Sequence, residues 1–128
     1  MELKESAEMY LETILVLSKE KNMVRSIDIS EHMHVSKAAV SHAVAKLKES
    51  RHILIDSDGY IALTEKGRTI AKKIYERHTI ISNILISLGV DEETAAADAC
   101  RIEHVISDKT FAAIKAYDLD CPKKNPSP

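Results

Sequence analysis

Cysteine, proline, glycine and aromatic residues are scarce in this chain. Two cysteines and three prolines occur in 128 residues, and tryptophan is absent. Cys100 lies in a helical pattern and Cys121 in a Pro-rich tail, so we expect no disulfide framework and a reducing, cytoplasmic setting. No stretch of about 18 apolar residues exists to span a membrane, and the acidic N-terminus does not resemble a secretory signal. These absences argue against the secreted and membrane-spanning classes.

The chain also lacks a large excess of charge of either sign. The net charge is −2, which gives no overall basic footprint for nucleic acid, so any such binding must depend on a local pattern. Hydrophobic residues make up 45% of the chain and charged residues 30%, which are ordinary globular values. The length suits one compact body with two sub-regions.

Residues 5–20 have the period of a helix with two contact faces. Met9 and Glu12 lie three residues apart, about 60–160° around the helix from its core-facing stripe. A second contact face is therefore expected, although a methionine most often serves as adaptable packing. The core-facing stripe consists of four residues: Ala7, Tyr10, Ile14 and Leu17.

Two short helices follow with almost no joint between them. Ser26 is predicted to cap a helix over residues 27–33, and Ser36 a helix over residues 37–49. Only His34 and Val35 lie between the first of these helices and the Ser36 cap of the second. A joint this short predicts a helix-turn-helix unit.

A small β-hairpin is predicted after the second of these helices. Residues 53–55 and 60–63 are β-prone runs, and the turn-forming residues 56–59 lie between them. The order of helix, helix and hairpin is that of a winged helix.

The rest of the chain is predicted to be helical. A long helix begins after Thr64 and ends before Gly89. Asp91 is predicted to cap a helix over about residues 92–101, and a further helix spans about residues 103–117. The fold class is therefore mainly α with a small β-hairpin.

One face of the predicted helix 37–49 has the composition of a DNA reader. Small and polar side chains permit close approach to base edges, and flanking cations meet phosphates. Residues 24–51 carry five basic against three acidic side chains, a weak positive excess. The alternative is an amphipathic helix with a solvated polar face, and the two acids of the wing tip would repel phosphate. The candidate DNA-binding residues are Arg25, Ser36, Lys37, Ala38, Ala39, Ser41, His42 and Lys46.

A possible metal-binding pattern lies in the second half of the chain. Cys100, Glu103 and His104 occupy positions i, i+3 and i+4, which share one face of a helix. Their thiolate, carboxylate and imidazole groups would then converge. By spacing alone, a buried thiol beside a surface Glu/His pair is an equally good interpretation, and His78 by default is a partly buried histidine.

The sequence resembles the diphtheria-toxin-repressor and manganese-regulator family of metal-dependent transcriptional repressors along nearly its full length. The resemblance implies a winged helix-turn-helix DNA-binding domain over residues 1–71, a helical metal-binding and dimerisation domain over 72–119, and a Pro-rich tail over 120–128. It also implies the two-domain form of the family, without the small β-barrel of its longer members. The matching segments are residues 7–12, 35–44, 63–68, 77–78, 88–91 and 98–108.

The ligand set implied by the resemblance mixes two types. Iron-type members have residues matching Met9, Cys100, Glu103 and His104, all of which are present. Manganese-type members have an aspartate and a glutamate in place of Met9 and Cys100, and they add residues matching Glu12 and His78, which are also present here.

A second metal site is left open by the resemblance. Ser82 and Ala96 replace two ligands of the iron-type ancillary site, so that site is not expected. An arrangement of the manganese type, with Glu12 and His78, would allow two ions in each subunit. Thioether and thiolate ligands favour Fe(II), while Mn(II), Co(II), Ni(II) and Zn(II) remain alternatives.

The resemblance thus predicts a homodimer that binds double-stranded operator DNA when metal joins the first helix to the second domain. No membrane partner and no small-molecule substrate are expected. Two other classes compete with this interpretation. A metal-dependent enzyme would need an open coordination position in a substrate-sized cleft, and a metal-independent winged-helix regulator would respond to a small ligand or to oxidation of Cys100.

Overall fold

The computed structural model describes residues 5–120, with the side chains of residues 119 and 120 left aside. Within this range the fold is mainly α with one antiparallel hairpin, as predicted. No helix among these residues has both the length and the apolar composition needed to cross a bilayer. The elements in chain order are α1 (Glu5–Glu20), α2 (Ser26–Met33), α3 (Lys37–Glu49), β1 (Ile53–Ile55), β2 (Ile61–Leu63), α4 (Glu65–Ser87), α5 (Glu92–Val105) and α6 (Asp108–Asp120).

The chain divides into two compact units, Met1–Lys73 and Ile74–Pro128. The core of the first unit is apolar and joins α1, α2, α3 and the hairpin. It includes the stripe predicted for α1, in which Tyr10, Ile14 and Leu17 are buried and Ala7 packs at the edge. Its most deeply buried side chains include Leu11, Ile14, Ile29, Val40 and Ile53.

The turn between α2 and α3 is fixed by local hydrogen bonds. His34 adopts the left-handed conformation with φ of 59°, which ends α2. The hydroxyl of Ser30 donates to the Val35 carbonyl at 2.7 Å. The Ser36 Oγ accepts the Ala39 N–H at 3.1 Å, so the predicted cap of α3 is confirmed.

The predicted cap of α2 is wrong. Ser26 is the first residue of α2, and Arg25 occupies the capping position. The Asp28 carboxylate accepts the Arg25 N–H at 2.9 Å, which supplies the capping interaction from three residues further along the chain. Sequence preference alone favoured the serine because a serine is the commoner cap.

The hairpin is a short wing with its turn built by an aspartate. β1 and β2 pair with Ile53 opposite Leu63 and Ile55 opposite Ile61. The Asp56 Oδ1 accepts the N–H groups of Asp58 and Tyr60, each at 2.9 Å. This acid at the wing tip therefore has a structural role in the turn.

The start of α4 lies against the base of the wing, where only glycine fits. A Cβ atom placed on Gly67 would lie 2.0 Å from the carbonyl oxygen of His52. That oxygen accepts the Thr64 N–H at 3.1 Å, and the Gly67 N–H donates to the Thr64 hydroxyl at 3.1 Å. The first turn of α4 and the end of the wing are thus held in contact by backbone groups.

We expect Gly67→Ala to destabilise the first unit by about 1–3 kcal/mol, the usual cost of overpacking. The added methyl group must displace backbone rather than a flexible side chain, so the contact cannot relax locally. Urea unfolding followed by circular dichroism measures the change. Arg68→Ala, at an exposed position in the same turn, is the matched control and should change stability by less than about 0.5 kcal/mol. Equal stabilities of the two variants would contradict this packing.

His52 gives the first unit a pH-dependent stability. Its side chain is buried, with Nδ1 2.6 Å from the Ser50 hydroxyl, and burial, followed by the nearby Lys66 charge, lowers the pKa of this imidazole. The unfolded chain therefore binds a proton more readily than the folded one, and stability falls as pH drops below about 6.5.

We expect His52→Gln to flatten the pH dependence of the urea midpoint between about pH 7.5 and pH 5, because glutamine does not titrate. The parent should lose more stability than the variant over that interval. Parallel midpoint curves for the two proteins would show that His52 contributes nothing to it.

In the second unit, α5 is longer than predicted. The sequence placed the end of this helix near residue 101, whereas α5 continues unbroken to Val105 and α6 runs over Asp108–Asp120. The break falls at Ile106 and Ser107, and the Ser107 Oγ accepts the Thr110 N–H at 3.0 Å. Ser107 is thus the cap signal that the sequence interpretation overlooked.

Candidate metal centre and DNA-reading face

A single helix, α5, presents three potential metal ligands together. Asp91 caps this helix by accepting the Thr94 N–H at 3.0 Å, as predicted. Because α5 continues to Val105, the i, i+3, i+4 spacing places Cys100, Glu103 and His104 on one face. Their sulfur, oxygen and nitrogen ligand atoms all lie within 4.8 Å of one another.

Glu103 is the centre of this cluster and is fully buried. Its Oε1 lies 2.8 Å from Nδ1 of His78 on α4, and its Oε2 lies 3.2 Å from Nε2 of His104. The His104 side chain is also shielded from solvent. A carboxylate is costly to bury unless charged or hydrogen-bonding groups surround it. The alternative of a surface Glu/His pair therefore does not describe this chain.

The donors in this cluster fit a divalent transition metal. The cluster offers thiolate, carboxylate and imidazole groups, which suit borderline ions such as Fe(II), Co(II) and Zn(II). Ligand atoms around one such ion, each about 2.0–2.3 Å from it, lie roughly 3–4 Å apart. The ligand atoms of Cys100, Glu103 and His104 all lie within 4.8 Å of one another, which is close to that range.

Arg77 is the residue near the cluster whose role sequence reasoning missed. It is buried beside His78, and its Nη1 donates to the carbonyl oxygens of Glu103 at 3.1 Å and Ile106 at 3.0 Å. Its Nη2 donates to the Asp108 carboxylate. The sequence around it gave no signal of this role, because Arg77 follows Lys72, Lys73 and Glu76 in a stretch rich in charged residues.

The other two predicted metal ligands belong to the first unit. Met9 and Glu12 lie on α1, and both are half-buried, neither in the core nor on the open surface. They are separate from the core stripe of this helix, as its period predicted. Whether they join the α5 ligands at one ion stays a prediction of the resemblance.

The predicted DNA-reading face is solvent-exposed. Val40, Val44 and Leu47 turn into the core, and Ala43 packs at its edge. Arg25, outside α3, lies with its guanidinium 4.6 Å from the centre of the Tyr60 ring on the wing. All eight candidate residues are exposed: Arg25, Ser36, Lys37, Ala38, Ala39, Ser41, His42 and Lys46.

Helix-turn-helix, wing and exposed α3 define the class of a winged-helix protein. Two family models cover almost the whole chain. The model described as the N-terminal DNA binding domain of iron dependent repressors matches residues 2–66, and the model described as their metal binding and dimerisation domain matches residues 64–128. The chain therefore belongs to the family of iron-dependent repressors.

Individual relatives agree with this membership. The chain is 33% identical over 117 residues to an uncharacterized HTH-type transcriptional regulator of Methanocaldococcus jannaschii, covering 90% of this chain and 94% of that one. It is 35% identical over 102 residues to the HTH-type transcriptional regulator MntR of Bacillus subtilis, covering 80% and 72%.

Among solved structures, the manganese regulator SloR matches with a TM-score of 0.80 and 31% identity, over 96% of this chain. The present chain spans 56% of SloR, a little over half of its length. The match extends over both compact units and confirms the predicted winged-helix class.

Proposed function

We propose that this protein is a metal-dependent transcriptional repressor whose affinity for operator DNA rises when a divalent ion, Fe(II) by preference, occupies the centre around Glu103. The observation that carries the proposal is the buried cluster of Cys100, Glu103 and His104 on α5. A cluster of this composition within a winged-helix protein has the ligands for a metal sensor, and none of its residues belongs to the exposed reading face on α3.

Side chains of α1 and of α5 would hold the ion together, and a bound ion would thereby link the two helices. Met9 and Glu12 would be the ligands from the DNA-binding domain, as the family resemblance implies. Such a link raises DNA affinity only if the ion binds the DNA-competent arrangement of the protein more tightly than any other arrangement. Linkage then requires operator DNA to tighten metal binding by the same factor.

The sulfur ligands favour one metal over the other. Cys100 and Met9 offer sulfur, which suits Fe(II) better than the oxygen and nitrogen ligands that Mn(II) prefers. A manganese-responsive regulator is the second candidate, because His78 lies against Oε1 of Glu103 and adds an imidazole to the centre. Glu12 with His78 and Glu103 would then hold a second ion in each subunit.

A homodimer would place two reading helices at successive major grooves. An apolar groove of about 380 Å³ on the second unit supports this association, since open apolar surfaces of this kind favour protein contacts. The groove is lined mainly by Ile81, Ile84, Leu85, Ile102, Ile114 and Tyr117. The matching of the dimerisation-domain model to the same part of the chain supports it further.

The direct test is an anaerobic titration with Fe(II), Mn(II), Co(II) and Zn(II), following binding to DNA from the protein's own promoter region by fluorescence anisotropy. We expect an affinity rise of roughly 5- to 150-fold, the usual range of such coupling. An affinity that is the same with each ion and with a chelator would overturn the proposal and favour a metal-independent regulator. Co(II) or Zn(II) can activate DNA binding in vitro as well as Fe(II) does, because the intrinsic affinity of a site for divalent metals rises along the first-row series.

A further inference from the structure

The pair Arg77 and His78 on α4 contacts one residue of α5 in two different ways. His78 meets the carboxylate of Glu103 at 2.8 Å, and Arg77 donates to the main-chain carbonyl of the same residue at 3.1 Å. Adjacent residues of one helix therefore determine both the backbone position and the side-chain direction of Glu103.

The Glu103 carbonyl needs such a donor because of its place in α5. The helix ends at Val105, so the carbonyls of its last turn lack partners within the helix. Arg77 supplies Nη1 to Glu103 and, at 3.0 Å, to the carbonyl of Ile106 just beyond the end. The guanidinium thus caps α5 at the turn that contains Glu103 and His104.

The same guanidinium also holds the next helix. Nη2 donates to the carboxylate of Asp108, the first residue of α6, and the group lies 5.3 Å from the centre of the Phe111 ring. Arg77 is buried while the Asp108 side chain is exposed, so the contact is made at the edge of the core. One side chain therefore sets the corner between α5 and α6.

We propose that Arg77 is a positioning residue for the metal centre: by capping α5 and holding Asp108, it fixes the Glu103 carboxylate in the direction that metal binding requires. This inference rests on the proposed function for the identity of the centre, and it concerns a residue outside the ligand set. Groups that orient ligands from outside typically affect metal affinity by 10- to 100-fold.

The test uses anaerobic Co(II) binding to the full-length protein without DNA, read from the visible ligand-field bands and the sulfur-to-cobalt absorption. Arg77→Lys keeps the positive charge but replaces a planar fork by a single ammonium group, which cannot serve both carbonyls and Asp108 together. We expect at least a tenfold loss of Co(II) affinity and altered ligand-field bands, under conditions in which circular dichroism shows that the variant is folded.

Lys115→Met is the matched control. It removes the Lys115–Glu76 ion pair, at 2.7 Å, which also joins α4 to α6 but does not touch Glu103. This variant should bind Co(II) within about twofold of the parent and with an unchanged spectrum. A loss in the control equal to that of Arg77→Lys would show that any weakening between α4 and α6 suffices, which would overturn the specific role of Arg77.

Asp108→Asn keeps the inference testable if Arg77→Lys fails to fold. It removes the anionic partner of the guanidinium while leaving the arginine and its carbonyl contacts in place. Because Arg77 is then oriented from one side only, we expect a smaller loss of Co(II) affinity, about threefold or more. Parent-like affinity and spectrum in every Arg77 and Asp108 variant that folds would overturn the inference alone. A parent chain that binds no Co(II) would overturn the proposed function together with it.

Discussion

His104→Ala is expected to remove the response of DNA binding to metal without unfolding the chain. The imidazole lies in the cluster centred on Glu103 and is shielded from solvent, so its loss deletes a ligand that no neighbouring side chain on α5 replaces. Cys100→Ala should have the same effect because it removes the thiolate ligand. In both variants, an activation of roughly 5- to 150-fold should fall to about onefold under the same titration.

Arg101→Ala is the control for these two variants. Arg101 is exposed on α5 between the ligands in sequence, about 100° around the helix from Cys100, so it changes the charge of the same helix without changing the ligand face. It should keep the activation of the parent. If His104→Ala and Cys100→Ala bind operator DNA as the parent does, with the same dependence on each ion, these residues are not the switch.

Ser41→Glu is expected to abolish operator binding while leaving metal affinity in the absence of DNA unchanged. Ser41 is exposed on α3, five residues after the Ser36 cap, whereas Val44 and Leu47 are buried. A carboxylate at this position would face phosphates and base edges, where it repels the backbone and blocks close approach. We expect a loss of at least 100-fold at physiological salt, measured by anisotropy with saturating metal.

The matched control for this variant adds the same charge elsewhere. Thr69→Glu converts another exposed hydroxyl residue in the first unit, and it should retain most of the DNA affinity. Parent-like binding by Ser41→Glu would locate the reading surface elsewhere than α3.

The helical periods and turn residues of the sequence predict most of the fold. The stripe of Tyr10, Ile14 and Leu17 was visible as a period of apolar residues, and the buried positions follow it. The wing was visible because Asp56 and Gly59 bracket a turn, and Gly59 has a φ of 88° that glycine adopts readily.

The errors at the end of α5 and at the start of α2 have different causes. α5 continues past residue 101, and at its end Arg77, 26 positions before Glu103, donates to the carbonyls of Glu103 and Ile106. A pattern read along the chain does not reveal a donor from another helix. The prediction of the α2 cap failed for a local reason, since Asp28, two residues further along, took the role expected of Ser26.

The candidate metal centre was predictable in its spacing and unpredictable in its burial. The i, i+3, i+4 spacing of the α5 ligands identified a shared face, which holds for exposed and buried helices alike. That Glu103 is fully buried between two imidazoles depends on how α4 packs on α5, and the sequence carried no local sign of that packing. The same limit applies to Arg77.

In the proposed function, one ion takes ligands from both α1 and α5. Anomalous diffraction at the cobalt edge from crystals of the Co(II)-loaded protein bound to its operator tests it most directly. We expect a peak about 2.0–2.3 Å from donors of Glu103 or His104 and also from Met9 or Glu12. A well-occupied peak whose protein ligands all come from the second unit, with Met9 and Glu12 turned away from it, would contradict it.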